Sequence, residues 1–285
     1  MTLAASFFRF ITFLLLIFSF ASVEYIIADI ALLTILMRSY VYGGRSMREY
    51  KKILCGALVA AFFLAQCTAV LAKPQVAYNG DAQKPRIAIT MDDCWRMQHV
   101  VEMLDLCKEY GFHMTFFPLG VCIKEKDGDI WRQMLSEGHE IGNHTQNHPK
   151  LNEIRSTRIR KELSKMEESL NKALGYPYDV RLMRPPGGRF QGGKGCTTIF
   201  VIEECGYSYV IMWSLSQTDP DKMLKKVKNG DILLYHSNTK DVEGLRKAIP
   251  ILMDRGFELV TVSELLGIQP AEEATTGIDI NQPQK

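Results

Sequence analysis

The chain has 285 residues, 47% of them apolar and 23% charged, with a formal net charge of +2. That is enough for one sizeable folded domain plus a leader or a tail. A charge so near balance leaves no electrostatic footprint for nucleic acid or an acidic surface, so neither is expected as a partner.

Two uncharged apolar runs come first, Phe10–Val23 and the twenty residues Ile53–Ala72. The second follows Arg48, Lys51 and Lys52 and ends in Val70-Leu71-Ala72 before Lys73. A basic start, an apolar centre and a small final residue make 47–72 a secretory signal peptide cleaved after Ala72. Left uncleaved, the same run is long enough to be a membrane anchor. A signal peptide should begin its chain, and Met47 stands where an initiator would. Residues 1–46 are therefore expected to be an apolar leader that is not natively translated. The alternative is a membrane segment over 10–37, which would carry Glu24 and Asp29 at a cost. The domain downstream is expected to be exported, either secreted or held on the outer face of the cell membrane. Only the N-terminal apolar segments would touch that membrane.

Residues 73–84 are polar with Pro and Gly and read as a linker, while 267–285 have too little apolar content to pack and read as a flexible tail. Between them, over 85–266, short apolar runs alternate with stretches of helical period. The candidate strands are Arg86–Thr90, His113–Phe117, Glu140–Gly142, Val180–Met183, Ser208–Met212, Ile232–Tyr235 and Glu258–Thr261. The clearest helix is Thr157–Leu174, with Leu163, Met166, Leu170 and Leu174 on one face and Gly175 and Pro177 to stop it. Such alternation implies an α/β fold with a parallel sheet, and seven strands suit a small barrel with its chemistry at the C-terminal strand ends.

Polar residues cluster at those ends. The first strand leads into Asp92-Asp93, the third into His144-Thr145-Gln146-Asn147-His148-Pro149, the fourth into Arg184-Pro185-Pro186-Gly187-Gly188, and the sixth into His236. Taken singly, each has a bland reading: a turn or cap for the aspartates, a core or surface group for His236, a salt-bridge partner for Arg184. Two imidazoles and a carboxylate make a divalent-metal set with positions left open for water and substrate. His144 and His148 are four apart, but Pro149 turns His148 away from helical dihedrals and puts the pair on a loop. His99, His113 and His139 are left as structural or exposed. His139-Glu140 misses HExxH by one residue, and there is no GxSxG nucleophile elbow. Seven cysteines without repeated CxxC spacing make neither a disulfide framework nor a thiolate zinc site.

Together these segments resemble the motifs of the polysaccharide deacetylase family (the NodB-homology domain, carbohydrate esterase family four). Thr90-Met91-Asp92-Asp93, His144 to Pro149, Arg184 to Gly188 and Leu233-Leu234-Tyr235-His236 are similar to its first, second, third and fifth motifs. The fourth is degenerate: Trp213 and Asp219 fit, but Pro220 stands where the family usually has tryptophan. The resemblance covers about 85–266 and implies a distorted (β/α)7-type barrel. It also implies a divalent metal, zinc first and otherwise cobalt, nickel or manganese, held by Asp93, His144 and His148. Asp92 would be the general base toward the attacking water and His236 the general acid for the leaving amine. Arg184 would hold Asp92, Asp219 would tune His236, and the Gly187 amide would help stabilise the oxyanion. Leu234 and Trp95 would lie on the substrate side, Trp95 being either a platform for a sugar face or loop packing. Cys94-Trp95, Gly187 and Pro220 depart from the family pattern and alter the substrate walls.

The reaction implied is hydrolysis of N-acetyl groups on amino sugars of an extracellular polysaccharide, with peptidoglycan favoured over chitin-like oligosaccharides. The competing readings are a metal amidohydrolase on a non-sugar acyl amide and a non-catalytic carbohydrate-binding relic.

Overall fold

The computed structural model describes residues 74–190 and 198–268. The leader, residues 1–46, the signal peptide over 47–72, Cys55, Cys67 and Cys196, and the tail beyond Ile268 lie outside the described residues. Among the described residues no helix is long and apolar enough to cross a membrane.

The strands are β1 (Gln75–Ala77), β2 (Arg86–Asp93), β3 (Thr115–Pro118), β4 (Glu140–Ile141), β5 (Leu182–Met183), β6 (Tyr209–Ile211), β7 (Ile232–His236) and β8 (Glu258–Val260). The helices are α1 (Met97–Tyr110), α2 (Gly128–Ser136), α3 (Ser156–Leu174), α4 (Thr198–Glu204), α5 (Pro220–Lys226), α6 (Thr239–Asp254) and α7 (Val262–Leu266). Every strand pair is parallel. One sheet runs β4-β3-β2-β7 with β8 also on β2, and the other runs β1-β6-β5. Single parallel bridges, Asn143 to Met183 and Leu215 to Leu233, link the first sheet's edges to β5 and to the segment that follows β6. The strands follow one another as in a distorted (β/α) barrel, built of short parallel strands in two sheets.

Side-chain alternation along the strands divides the apolar residues into two layers. Ile87, Ile89 and Met91 of β2 pack outward in the large core under the helices. Ala88, Phe117, Leu182, Ile211, Ile232 and Val260 fill a second cluster within the barrel. Following the same alternation upward, Thr90 and Asp92 of β2 and Leu234 and His236 of β7 face inward at the C-terminal end. The sequence pattern therefore delivers an acid and an imidazole to the barrel mouth from adjacent, registered strands.

Helix α3 shows how the outer layer forms. Ile159, Leu163, Met166, Leu170 and Leu174 are buried at helical spacing, and Gly175 ends the helix at φ 82, a left-handed cap that suits glycine. Each buried aliphatic contributes about 1.5–3 kcal/mol, so Leu170→Ala alone would cost about 2–5 kcal/mol.

Two boundaries differ from the sequence reading. The segment read as a linker, 73–84, supplies β1: Gln75 N–H donates to Ser208 O (2.9 Å), and Ala77 O accepts from Met212 N–H (2.7 Å). Backbone pairing and the burial of Ala77 outweigh a polar composition over so short a stretch. At the other end, Gly267 caps α7 and Ile268 is buried, so the domain runs two residues past 266 into the segment read as tail.

Candidate active site

β2 continues through both aspartates, registered against Phe117 and Pro118 of β3. Asp92 and Asp93 are each 3% exposed, and their charges are handled differently. Asp92 Oδ1 accepts from Arg184 Nη1 at 2.7 Å. That guanidinium is fully buried. It also donates to Thr90 Oγ1 (2.6 Å), Ile211 O (3.2 Å) and Met212 O (3.1 Å), and it lies over the Phe117 ring, 4.2 Å from its centroid. Burial pulls the Arg184 pKa down while Asp92 holds it up. Asp93 has no such cation: its Oδ1 is buried with no hydrogen-bond partner.

Two imidazoles approach that orphaned oxygen. Nε2 of His144 and Nε2 of His148 each lie 3.7 Å from Asp93 Oδ1. The separation is too long for a hydrogen bond but close to the ~3.4 Å edge of a tetrahedron with ~2.1 Å metal–ligand bonds. One ligand atom from each residue falls within 4.8 Å of the others. His144 Nδ1 is engaged by Arg184 O at 2.7 Å, which makes Nδ1 the protonated nitrogen and leaves the Nε2 lone pair free. Burial also lowers the His144 pKa and favours the neutral ring that a ligand requires. The three residues fit a divalent cation, which would satisfy an otherwise unpartnered buried carboxylate oxygen and two convergent imidazoles at once.

The loop carrying the histidines is not helical. Thr145 and His148 have φ 71 and φ 59, and Asp93 and Cys94 also lie in the left-handed region at φ 66 and φ 54. Pro149 excludes the helical pairing as expected, although the backbone of His148 is left-handed and not extended. The buried Cys94 thiol is pushed well up by burial and by Asp92 and Asp93, so it stays protonated and is no nucleophile. Among the described residues, Cys94, Cys107, Cys122 and Cys205 are free.

His236 is half-buried at the end of β7, paired in register with Asp92. Its Nδ1 lies 3.7 Å from Asp241 Oδ2, and the same oxygen accepts from its backbone N–H at 2.8 Å. Asp241 raises the His236 pKa above its ordinary value, against the effect of burial; Asp92 and Asp93 raise it further.

The polysaccharide deacetylase family model matches residues 79–210. A peptidoglycan-N-acetylglucosamine deacetylase of Bacillus cereus is 33% identical over 195 residues, covering 63% of this chain and 87% of that protein. The chain belongs to the polysaccharide deacetylase family. The uncharacterized protein YlxY of Bacillus subtilis is 28% identical over 203 residues, 68% of this chain, and the match spans 61% of that relative's length. Among solved structures, a mutant of a CE4 family pseudoenzyme from Bacillus anthracis, described as having restored enzymatic activity, is similar with TM-score 0.60 and 25% identity. It covers 67% of this chain and 71% of that one.

Against the family motifs, the fold brings Asp92, Asp93, His144, His148, Arg184 and His236 together. Asp219 is different. Its carboxylate caps α5, accepting from Lys222 N–H at 3.0 Å, with Lys222 Nζ at 3.6 Å. It makes no contact with His236 among the described residues. Asp219 stands directly before Pro220 at the first turn of α5, so the start of a helix uses it, and the carboxylate beside His236 comes from Asp241 in the first turn of α6. Asp241 carries no motif signal, and only its placement five residues after the histidine marks it. Gly187 has φ 58, and a Cβ there would meet nothing within 4 Å, so open space lies at this departure from the family pattern. Trp95 is 59% exposed, and Leu234 is buried on the inner face. His139 is structural: its Nδ1 accepts from Met114 N–H at 3.2 Å. His99 is held by Glu102 and Thr239.

Proposed function

We propose that this protein is an exported, metal-dependent deacetylase that hydrolyses N-acetyl groups on amino sugars of cell-wall peptidoglycan, with zinc as its metal. The observation that carries the reading is the convergence of His144 and His148 on the unpartnered, buried Asp93 Oδ1 beside a second carboxylate that Arg184 holds apart. The names of its relatives supply the substrate class, and the apolar leader supplies export.

Asp93, His144 and His148 would hold the metal. When bound, it acidifies a water toward neutral pH and polarises the acyl carbonyl. Asp92 is the base. Arg184 occupies its Oδ1, leaving Oδ2, 3.6 Å from His144 Nε2, turned toward the metal ligands and free to take a proton. His236 is the acid: with Nδ1 facing Asp241, its Nε2 is the nitrogen left to protonate the leaving amine. Acid and base each contribute about 10²–10⁴ in rate. The Gly187 amide would donate to the oxyanion, Leu234 would wall the acetyl pocket, and Trp95 would lie under a sugar ring. In this reading Asp241 takes the role that the family resemblance gave to Asp219.

The test is incubation of the full chain, with zinc, with peptidoglycan fragments and chitin oligomers, followed by mass spectrometry. Loss of one acetyl mass from an amino sugar is the expected result. Zinc binding without turnover of any sugar would favour a carbohydrate-binding relic. Turnover confined to small acyl amides would favour the non-sugar amidohydrolase.

A further inference from the structure

We propose that Tyr207 is a positioning residue of the metal centre, acting through Asn143 on the loop that presents His144 and His148. The inference rests on the metal-site reading above and assigns part of its geometry to residues outside it.

Asn143 follows β4 and immediately precedes His144. It is fully buried, and every polar group it has is used. Its backbone ties two strands of the barrel: N–H donates to Leu182 O (2.8 Å), and its carbonyl accepts from Arg184 N–H (2.9 Å). Its side chain faces the loop and the helical layer at once. Oδ1 accepts from Thr145 N–H at 2.7 Å, while Nδ2 donates to Leu163 O at 3.0 Å and to the Tyr207 hydroxyl at 2.6 Å.

The Thr145 bond matters because of where Thr145 sits. A β-branched residue at φ 71 is a strained outlier that persists only when neighbours over-determine it. Asn143 Oδ1 is one such constraint. Thr145 Oγ1 passes it on by accepting from His148 N–H at 3.1 Å, and His148 is itself left-handed at φ 59. The two imidazoles are thus spaced by a strained turn whose first tie is the Asn143 side chain.

Tyr207 orients that side chain. Its hydroxyl has a single proton, which goes to Glu167 Oε1 on α3, so its lone pairs are what face Asn143. A lone pair requires a donor opposite, which fixes the Asn143 amide with Nδ2 toward Tyr207 and Oδ1 toward Thr145. Leu163 O imposes the same sense. Tyr207 is 2% exposed, and burial together with Glu167 pushes its pKa well up, so it stays a neutral donor. Glu167, Tyr207, Asn143, Thr145 and His148 form one continuous chain from the half-exposed face of α3 to a metal ligand.

The experiment measures zinc affinity of the apo-protein by competition with a chelating dye, with thermal melting of the same samples. Tyr207→Phe keeps the ring and removes the hydroxyl. Groups that orient metal ligands typically contribute 10–100-fold in affinity, so a loss of about 10-fold or more is expected. Leu252→Ala, a buried α6 position away from the loop, controls for lost stability and should lower the melting temperature while leaving the affinity unchanged. Affinity unchanged in Tyr207→Phe, or lowered no more than in Leu252→Ala, overturns the proposal. Should Tyr207→Phe not fold, Glu167→Ala, on the helix surface, releases the hydroxyl from its acceptor. It should also weaken zinc binding, and unchanged affinity there overturns the proposal too. Asp93→Asn separates this inference from the reading beneath it. If Asp93→Asn loses zinc while Tyr207→Phe does not, only the role of Tyr207 fails; if Asp93→Asn keeps full affinity, the metal site itself is wrong and both fall.

Discussion

Replacing each of the adjacent aspartates by asparagine separates two functions that look interchangeable in sequence. Asp92→Asn removes the charge that neutralises a fully buried guanidinium at 2.7 Å. Breaking one side of a buried pair costs about 3–5 kcal/mol. Thr90 Oγ1, Ile211 O, Met212 O and the Phe117 face remain as partners for Arg184, and the new amide oxygen can still accept. The lower end, about 3 kcal/mol, is therefore expected, visible as a fall of roughly 6–12 °C in Tm for a domain of this size. Activity should fall by at least about 10²-fold, because an amide cannot accept the proton, and zinc affinity should stay within about 3-fold. Asp93→Asn should do the reverse. Its oxygen has no partner to lose, so Tm of the apo-protein should hold, while zinc affinity drops and excess zinc restores part of the activity. Zinc titration of both variants, with bound metal quantified and turnover followed, decides the matter. Rescue of Asp92→Asn by zinc, with Asp93→Asn beyond rescue, would reverse the two roles and refute the reasoning.

Three further outcomes are expected. In the proposed role His236 would serve as an acid only while protonated, and Asp241 raises its pKa, so activity should fall as pH rises through that raised value. Asp241→Asn lowers the value and should move the alkaline limb of kcat/KM to lower pH, whereas Asp219→Asn should leave the limb in place; the paired pH profiles check this. Burial lowers the His139 pKa from 6.5 to about 4, so folding stability should be full above 6.5 and drain away as pH falls toward 4; urea midpoints should show a flatter dependence in His139→Gln. Trp95→Ala should raise KM for oligosaccharides about 5-fold, from roughly 1 kcal/mol of lost aromatic contact, with zinc affinity unmoved by the same dye competition.

All seven strands of the sequence reading are present, and so is the long helix, because short apolar runs and a 3.6-residue period are written locally. β1 was not legible: three residues in a polar stretch become a strand only through Tyr209–Ile211, more than a hundred positions away. Asp93, His144, His148, Arg184 and His236 were legible because each follows a short apolar run in a recognisable motif. Asp241 was not, since it lies on the next helix and reaches back to His236 from its first turn. Asp219 misled for the opposite reason, as an aspartate before a proline equally marks the start of a helix.

The pairing of β2 with β3, β7 and β8 has a consequence for biogenesis. Thr90 Oγ1 donates to Leu233 O, a contact spanning 143 residues, and Asp92 and His236 meet across the same ladder. Loops of that length close late and slowly. The strand carrying both aspartates is made early in translation, yet it has no neighbour on its β7 side until nearly the whole domain has emerged. A chain threaded through a secretion channel would therefore cross without a formed site, and its chemistry would switch on only after the last strands arrive on the far side. Truncation anywhere between β2 and β7 should yield an inactive product that keeps both aspartates.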